Sequence, residues 1–85
     1  MASRTYKVKD GILLKYNGKG RRISIPEGIT GIGEDAFIFC DSIETVIIPP
    51  SVTSIGAYAF SMCKNLESIV IPESVTFIDD NAFGG

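Results

Sequence analysis

The chain has 85 residues, no histidine and a formal net charge of −2, which fits one small globular domain with a core of marginal size. No apolar run is long enough to cross a bilayer, and the lack of histidine rules out Ser-His and Cys-His nucleophiles. Charge is unevenly spread: residues 1–22 hold seven of the eight basic residues and one acid, Asp10, while residues 23–85 hold Lys64 against nine acids. A basic end serves solubility, and it can also dock an acidic partner or the acidic body of another copy. No nucleic-acid partner is expected, because that body repels phosphate and no reader motif is present.

The first segment, Met1-Ala2-Ser3-Arg4, leads into no apolar h-region, so no secretory signal is expected in this chain. Apolar residues then alternate about Lys9-Asp10-Gly11: Tyr6, Val8, Ile12, Leu14 and Tyr16. A three-residue loop pairs Val8 with Ile12 and Tyr6 with Leu14 and keeps one apolar face, with Gly11 in the left-handed region. Asn17-Gly18-Lys19-Gly20 turns the chain again and would set Leu14 against Ile23 and Ile12 against Ile25. Residues 1–22 therefore read as a capping hairpin and turn, laid antiparallel on the strand Ile23-Ser24-Ile25.

From residue 23 the sequence repeats with a period of 23: Ile25-Pro26, Ile48-Pro49 and Ile71-Pro72 mark the register. Val/Ile-Thr, isoleucine, Ala-Phe and, at Cys40 and Cys63, cysteine return in step with it. A period of this length means stacked units, each burying its apolar side against its neighbours. The units are 23–45, 46–68 and 69–85, the third cut short, within one structural domain. Each opens with a short strand whose first and third residues point inward and whose middle residue, Ser24, Ile47 or Val70, points outward. Proline ends the strand, because it lacks a donor N–H. A second extended piece comes next, at 29–32, 52–55 and 75–78. Gly33 and Gly56 then mark a turn with expected positive φ, where Asp79 in the third unit would be strained. Residues 34–39 and 57–62 each hold Ala-Phe and read as one helical turn that drops Phe37 or Phe60 into the core, the two rings stacked with Cys40 and Cys63 nearby. Tyr58 breaks a polar column (Asp35, Asn81) and is expected at the surface.

The stretch Leu66-Glu67-Ser68-Ile69-Val70-Ile71-Pro72-Glu73-Ser74-Val75-Thr76 and its complement, residues 52–63, resemble the BspA-type leucine-rich repeat. Residues 10–18 also resemble the hairpin that precedes such repeats. Gly20 and Asp79 depart from the pattern. The resemblance implies a β-rich leucine-rich repeat solenoid, a right-handed β/α superhelix with short helical turns, an N-terminal β-hairpin cap and a parallel sheet on its concave side. It also implies an extracellular or cell-surface setting and a role in adhesion.

No catalytic, cofactor or metal residues are expected. The two cysteines have no histidine or C-x-x-C companion, and they read as buried free thiols rather than a disulfide, although coil spacing would permit one. Gly28-Ile29-Thr30-Gly31-Ile32-Gly33 does not have phosphate-loop spacing. Asp79-Asp80 does not have calcium-loop spacing. Asn17, Asn65 and Asn81 lie outside N-x-[ST] sequons. The candidate contact face is the outward row Arg22, Thr45, Ser68 with its neighbour Ser24, Ile47, Val70. Ile47 and Val70 side by side either reflect strand propensity or seed a protein-binding patch.

The expected function is a non-catalytic protein–protein interaction module of a bacterial adhesion-type surface protein, with a structural spacer or self-assembling unit as the alternative. The protein partner is of unknown identity, and no membrane insertion is expected. The third unit has no following neighbour, which leaves Ile69, Ile71, Val75, Ile78 and Phe83 open on one side. Self-association through that end, most simply as a two-fold homodimer, is expected, or else continuation of the array in a longer protein.

Overall fold

The structure is a computed structural model and describes residues 5–84. It holds eight strands: β1 (Tyr6–Lys9), β2 (Ile12–Tyr16), β3 (Arg22–Ser24), β4 (Gly31–Ile32), β5 (Thr45–Ile47), β6 (Ser54–Ile55), β7 (Ser68–Val70) and β8 (Phe77–Ile78). They form two ladders, β1-β2-β4-β6-β8 and β3-β5-β7. Every neighbouring pair except β1–β2 is parallel. Strand partners stand 23 residues apart, as with Val46↔Ile69 and Ile55↔Ile78, so the sequence period is the coil-to-coil step of the fold.

The β-branched pattern of the first strand does what its alternation predicts in the first two coils, whereas in the third Ile69 is half-buried and Ile71 is exposed. Ile23, Ile25, Val46 and Ile48 are buried, and Ser24 and Ile47 between them are exposed. The second extended pieces are shorter than expected and do not alternate strictly. Ile29 with Ile32, and Val52 with Ile55, are three apart and all buried. Between the two ladders runs a column of rings, Tyr6, Tyr16, Phe37, Phe60 and Phe83, with centroids 5.3, 5.2, 4.9 and 5.4 Å apart. Phe37 and Phe60 are buried and stack nearly parallel at 11°, as the Ala-Phe repeat predicts. Cys40 and Cys63 pack against this core as free thiols.

The hairpin is present but docks elsewhere than expected. β2 does not lie antiparallel on the first repeat strand. It joins the other ladder, parallel to β4, with Ile12↔Gly31 and Leu13↔Ile32. The loop has two residues, Asp10 and Gly11, both in the left-handed region (φ 53° and 80°), and pairs Lys9 with Ile12 and Val8 with Leu13. Such a loop would split the apolar residues between two faces. A bulge resolves the conflict: pairing skips Leu14 and resumes at Lys7↔Lys15 and Tyr6↔Tyr16. Leu14 is thereby turned out, and Leu13 and Tyr16, three apart, both point inward and are buried. Residues 17–20 wrap the Tyr16 hydroxyl, which accepts the Gly20 N–H at 2.9 Å.

The expected helical turns are not helices. Residues 34–39 and 57–62 are successive β-turns in which alternate N–H groups serve different partners. Ala36, Ile38 and Cys40 donate three residues back, whereas Asp35, Phe37 and Phe39 donate to Ala57, Ala59 and Ser61 of the next coil at 3.1, 2.7 and 3.0 Å. Aiming every second donor at a neighbouring coil requires left-handed residues, here Asp35 (φ 61°), Phe39 (58°), Tyr58 (57°) and Met62 (59°). A helix would direct all of its donors along its own axis. This side of each coil thus becomes a third inter-coil ladder.

Gly33 and Gly56 do not have positive φ. Their requirement is closeness. A Cβ on Gly56 would sit 3.0–3.1 Å from backbone atoms of residues 32–34 in the preceding coil. Asp79 is accordingly not in a left-handed conformation.

Candidate interaction surfaces

The outward face of β3-β5-β7 assembles the six expected contact residues in two rows. Arg22, Thr45 and Ser68 are in register, as are Ser24, Ile47 and Val70. The Ser68 hydroxyl and the Thr45 hydroxyl lie 3.4 Å apart within the first row. Ile47 is 47% exposed and Val70 is 54% exposed, on adjacent strands. Two branched aliphatic side chains therefore share water-facing surface on the central strand β5 and the edge strand β7. Arg21, which is exposed, lies 4.0 Å from the half-buried Glu44 at one border of this face. Such a pair contributes little to stability, but it sets basic against acidic character along the border.

The end of the stack carries the other five expected residues. Ile71, Ile78 and Phe83 are exposed, and Ile69 and Val75 are half-buried. Phe77 is exposed beside them, in a column otherwise held by Gly31 and Ser54. Two exposed aromatic residues lie outside the candidates that the repeat pattern marks: this Phe77, and Phe39, which is 64% exposed. The available signal for Phe77 is its column of small residues. Phe39 has no such signal, because its exposure depends on its left-handed φ.

Reactive chemistry is not assembled among the described residues. They enclose no pocket and include no cluster of acids and thiols that could hold a metal ion. Burial pushes the Cys40 thiol up, and it pushes the Cys63 thiol up to about 11. The Cys63 thiol donates to the Phe37 carbonyl at 3.0 Å. A thiol held protonated in this way is a poor nucleophile.

A stack of 23-residue parallel coils with a proline-terminated strand in each is the hallmark of one repeat class. Residues 14–85 match the BspA type leucine rich repeat region (6 copies), and the chain belongs to that family. Among solved structures it is similar to a leucine rich repeat protein of T. pallidum, at 27% identity and a TM-score of 0.81, over 92% of this chain and 42% of that one. It is also similar to a leucine rich cell surface protein from Faecalibacterium prausnitzii, at 26% identity and a TM-score of 0.76, over 92% of this chain and 26% of that one. A leucine-rich repeat protein from Bacteroides capillosus shares the fold at 24% identity and a TM-score of 0.72, over 100% of this chain and 94% of that one. The chain thus spans less than half the length of the first two structures it matches. A comparison with curated proteins gives no significant match.

Proposed function

We propose that the chain is a non-catalytic protein-interaction module, part of a bacterial surface or adhesion-type protein. In this reading it is a right-handed solenoid whose N-terminal hairpin caps one end and whose β3-β5-β7 sheet is the concave, partner-facing side. The adjacent exposure of Ile47 and Val70 carries the proposal. A water-facing aliphatic pair on adjacent strands, bordered by Arg22, Thr45 and Ser68, has the make-up of an apolar contact patch with a polar border. The cell-surface setting is supported by the similar cell surface protein of F. prausnitzii and by the repeat class.

The test is capture of protein ligands from extracellular-matrix and host-cell extracts by the immobilised chain, with Ile47→Asp plus Val70→Asp as the paired variant. Both sites are exposed, so the variant should fold. Loss of more than about tenfold in binding supports the proposal, since a buried charge at an interface centre costs more than one decade. Retention of every interaction by the folded variant would leave the repeats as a structural spacer.

A further inference from the structure

The two ends of the β1-β2-β4-β6-β8 ladder are its only edges among the described residues, and they differ in charge. β1 presents exposed Lys7, Val8 and Lys9. β8 presents exposed Phe77 and Ile78 and runs into Asp79 and Asp80. The ring column reaches both ends as well, starting at Tyr6 beside β1 and finishing at Phe83 beside β8, which is exposed. Inside the stack each coil's carbonyls accept from the next coil: Thr53 O from Thr76 and Phe77 N–H, and Ile55 O from Asp79 N–H, at 2.9, 3.3 and 3.0 Å. The equivalent carbonyls of Thr76 and Ile78 face outward at the β8 edge.

We propose that this end accepts the β1 end of a second copy of the same chain, head to tail. β1 runs against its own ladder, so β1 of the second copy lies antiparallel to β8. Val8 then meets Ile78, Tyr6 continues the ring column beyond Phe83, Lys7 faces the Asp79–Asp80 end of β8, and Lys9 falls beside Phe77 on the side from which Glu73 leads into β8. A two-fold pairing of two β8 ends, the simpler arrangement, would instead bring two acidic edges together, Asp79 and Asp80 of one copy toward the Glu73 side of the other, with like charges repelling. The other ladder gains no pairing, because β3 lies two strands short of the β1 edge and so leaves β7 without a partner strand. The contact is therefore small and depends on charge. A head-to-tail contact does not close on itself.

The test is light scattering or sedimentation of the full chain across a concentration series at low and at raised salt. The average mass should climb without a plateau at dimer, and raised salt should lower it, since exposed charge pairs are screened. Two folded variants sharpen this: Lys7→Glu plus Lys9→Glu, and Glu73→Lys plus Asp80→Lys, each checked by circular dichroism. Each alone should associate more than about tenfold less than the parent, and an equimolar mixture should recover association. A plateau at dimer that strengthens with salt, or stronger self-association of the Glu73/Asp80 variant, would overturn the proposal in favour of two-fold pairing. A monomer at every concentration would overturn it outright. None of these readings depends on the Ile47–Val70 face.

Discussion

The second and third coils carry nearly the same apolar residues in the same columns and bury them very differently. Phe60 is 2% exposed and Phe83 is 43% exposed; Ile55 is 0% exposed and Ile78 is 40% exposed. Ring stacking is equally good at both places: Phe60 lies at 4.9 Å and 11° from Phe37, and Phe83 at 5.4 Å and 9° from Phe60. In a stack, burial belongs to the position and not to the residue. A side chain has a core on both sides only when coils flank it, so stability is concentrated at the middle of the array.

Substitution at the ring column should break this equivalence most strongly. Phe60→Ala removes a ring stacked on both faces and should cost about 3–5 kcal/mol. In a domain this size that exceeds much of the total stability, so chemical denaturation should show a largely unfolded chain at room temperature. Phe83→Ala removes a ring stacked on one face and about half in water. It should cost roughly 1–2 kcal/mol, seen as a lowered midpoint with the cooperative transition intact. Equal losses at the two sites would mean that the third coil is as tightly held as the second.

The glycine column gives a smaller contrast. Gly56→Ala forces a methyl against backbone of residues 32–34 at 3.0–3.1 Å, which no rotamer change can relieve. A loss of about 1–3 kcal/mol is expected, typical of overpacking. Asp79 occupies the same column in the third coil and has a role of its own. Its carboxylate accepts the Asn81 N–H at 3.0 Å. The matching N–H of Tyr58 goes to the next coil, to Asn81 O at 3.1 Å. Asp79 therefore supplies from within the coil the acceptor that a following coil would provide. Restoring the repeat residue with Asp79→Gly should destabilise, by about 1 kcal/mol. A gain in thermal midpoint for Asp79→Gly would show that the carboxylate does not act as a cap.

Much of the fold is legible in the sequence, for reasons that can be traced to particular residues. Ile23, Val46 and Ile69 recur at a fixed step, and a fixed step admits parallel stacking with few alternatives, so the β3-β5-β7 ladder and its outward row are direct consequences. The hairpin is not legible in the same way, because strict alternation places Leu14 inside. A bulge shifts the inward set to Leu13 and Tyr16, and single-residue bulges leave no periodic trace. The turn side is ambiguous because Ala-Phe fits a helical turn equally well. What decides against the helix is a bond to the neighbouring coil, such as Phe37 N–H to Ala59 O at 2.7 Å, which no local propensity records. The contact face is readable as positions, since Ile47 and Val70 share a row, but a partner's identity is not encoded in one side of an interface.

The smallest expected effect separates the thiols of the two inner coils from ordinary cysteine. Burial holds the Cys63 thiol up at about 11, above its ordinary 9.0. The folded state therefore favours the protonated form, which also donates to the Phe37 carbonyl. Below about pH 9 both folded and unfolded chains keep the proton, and this contribution is fully present. As pH rises from about 9 toward about 11, the unfolded chain loses its proton first, so the contribution declines and is gone above the folded value. Because Cys63 is only half-buried, the decline should be modest, visible only as a difference between the parent and Cys63→Ala. The measurement is the urea midpoint of both chains at several pH values between neutral and strongly alkaline. The parent's advantage over Cys63→Ala should shrink across that alkaline window, and alkylation of the native thiols near pH 8 should be slower than that of free cysteine. Curves that stay parallel throughout would show that the folded state does not hold the Cys63 proton, and that the contact with the Phe37 carbonyl is not a hydrogen bond of consequence.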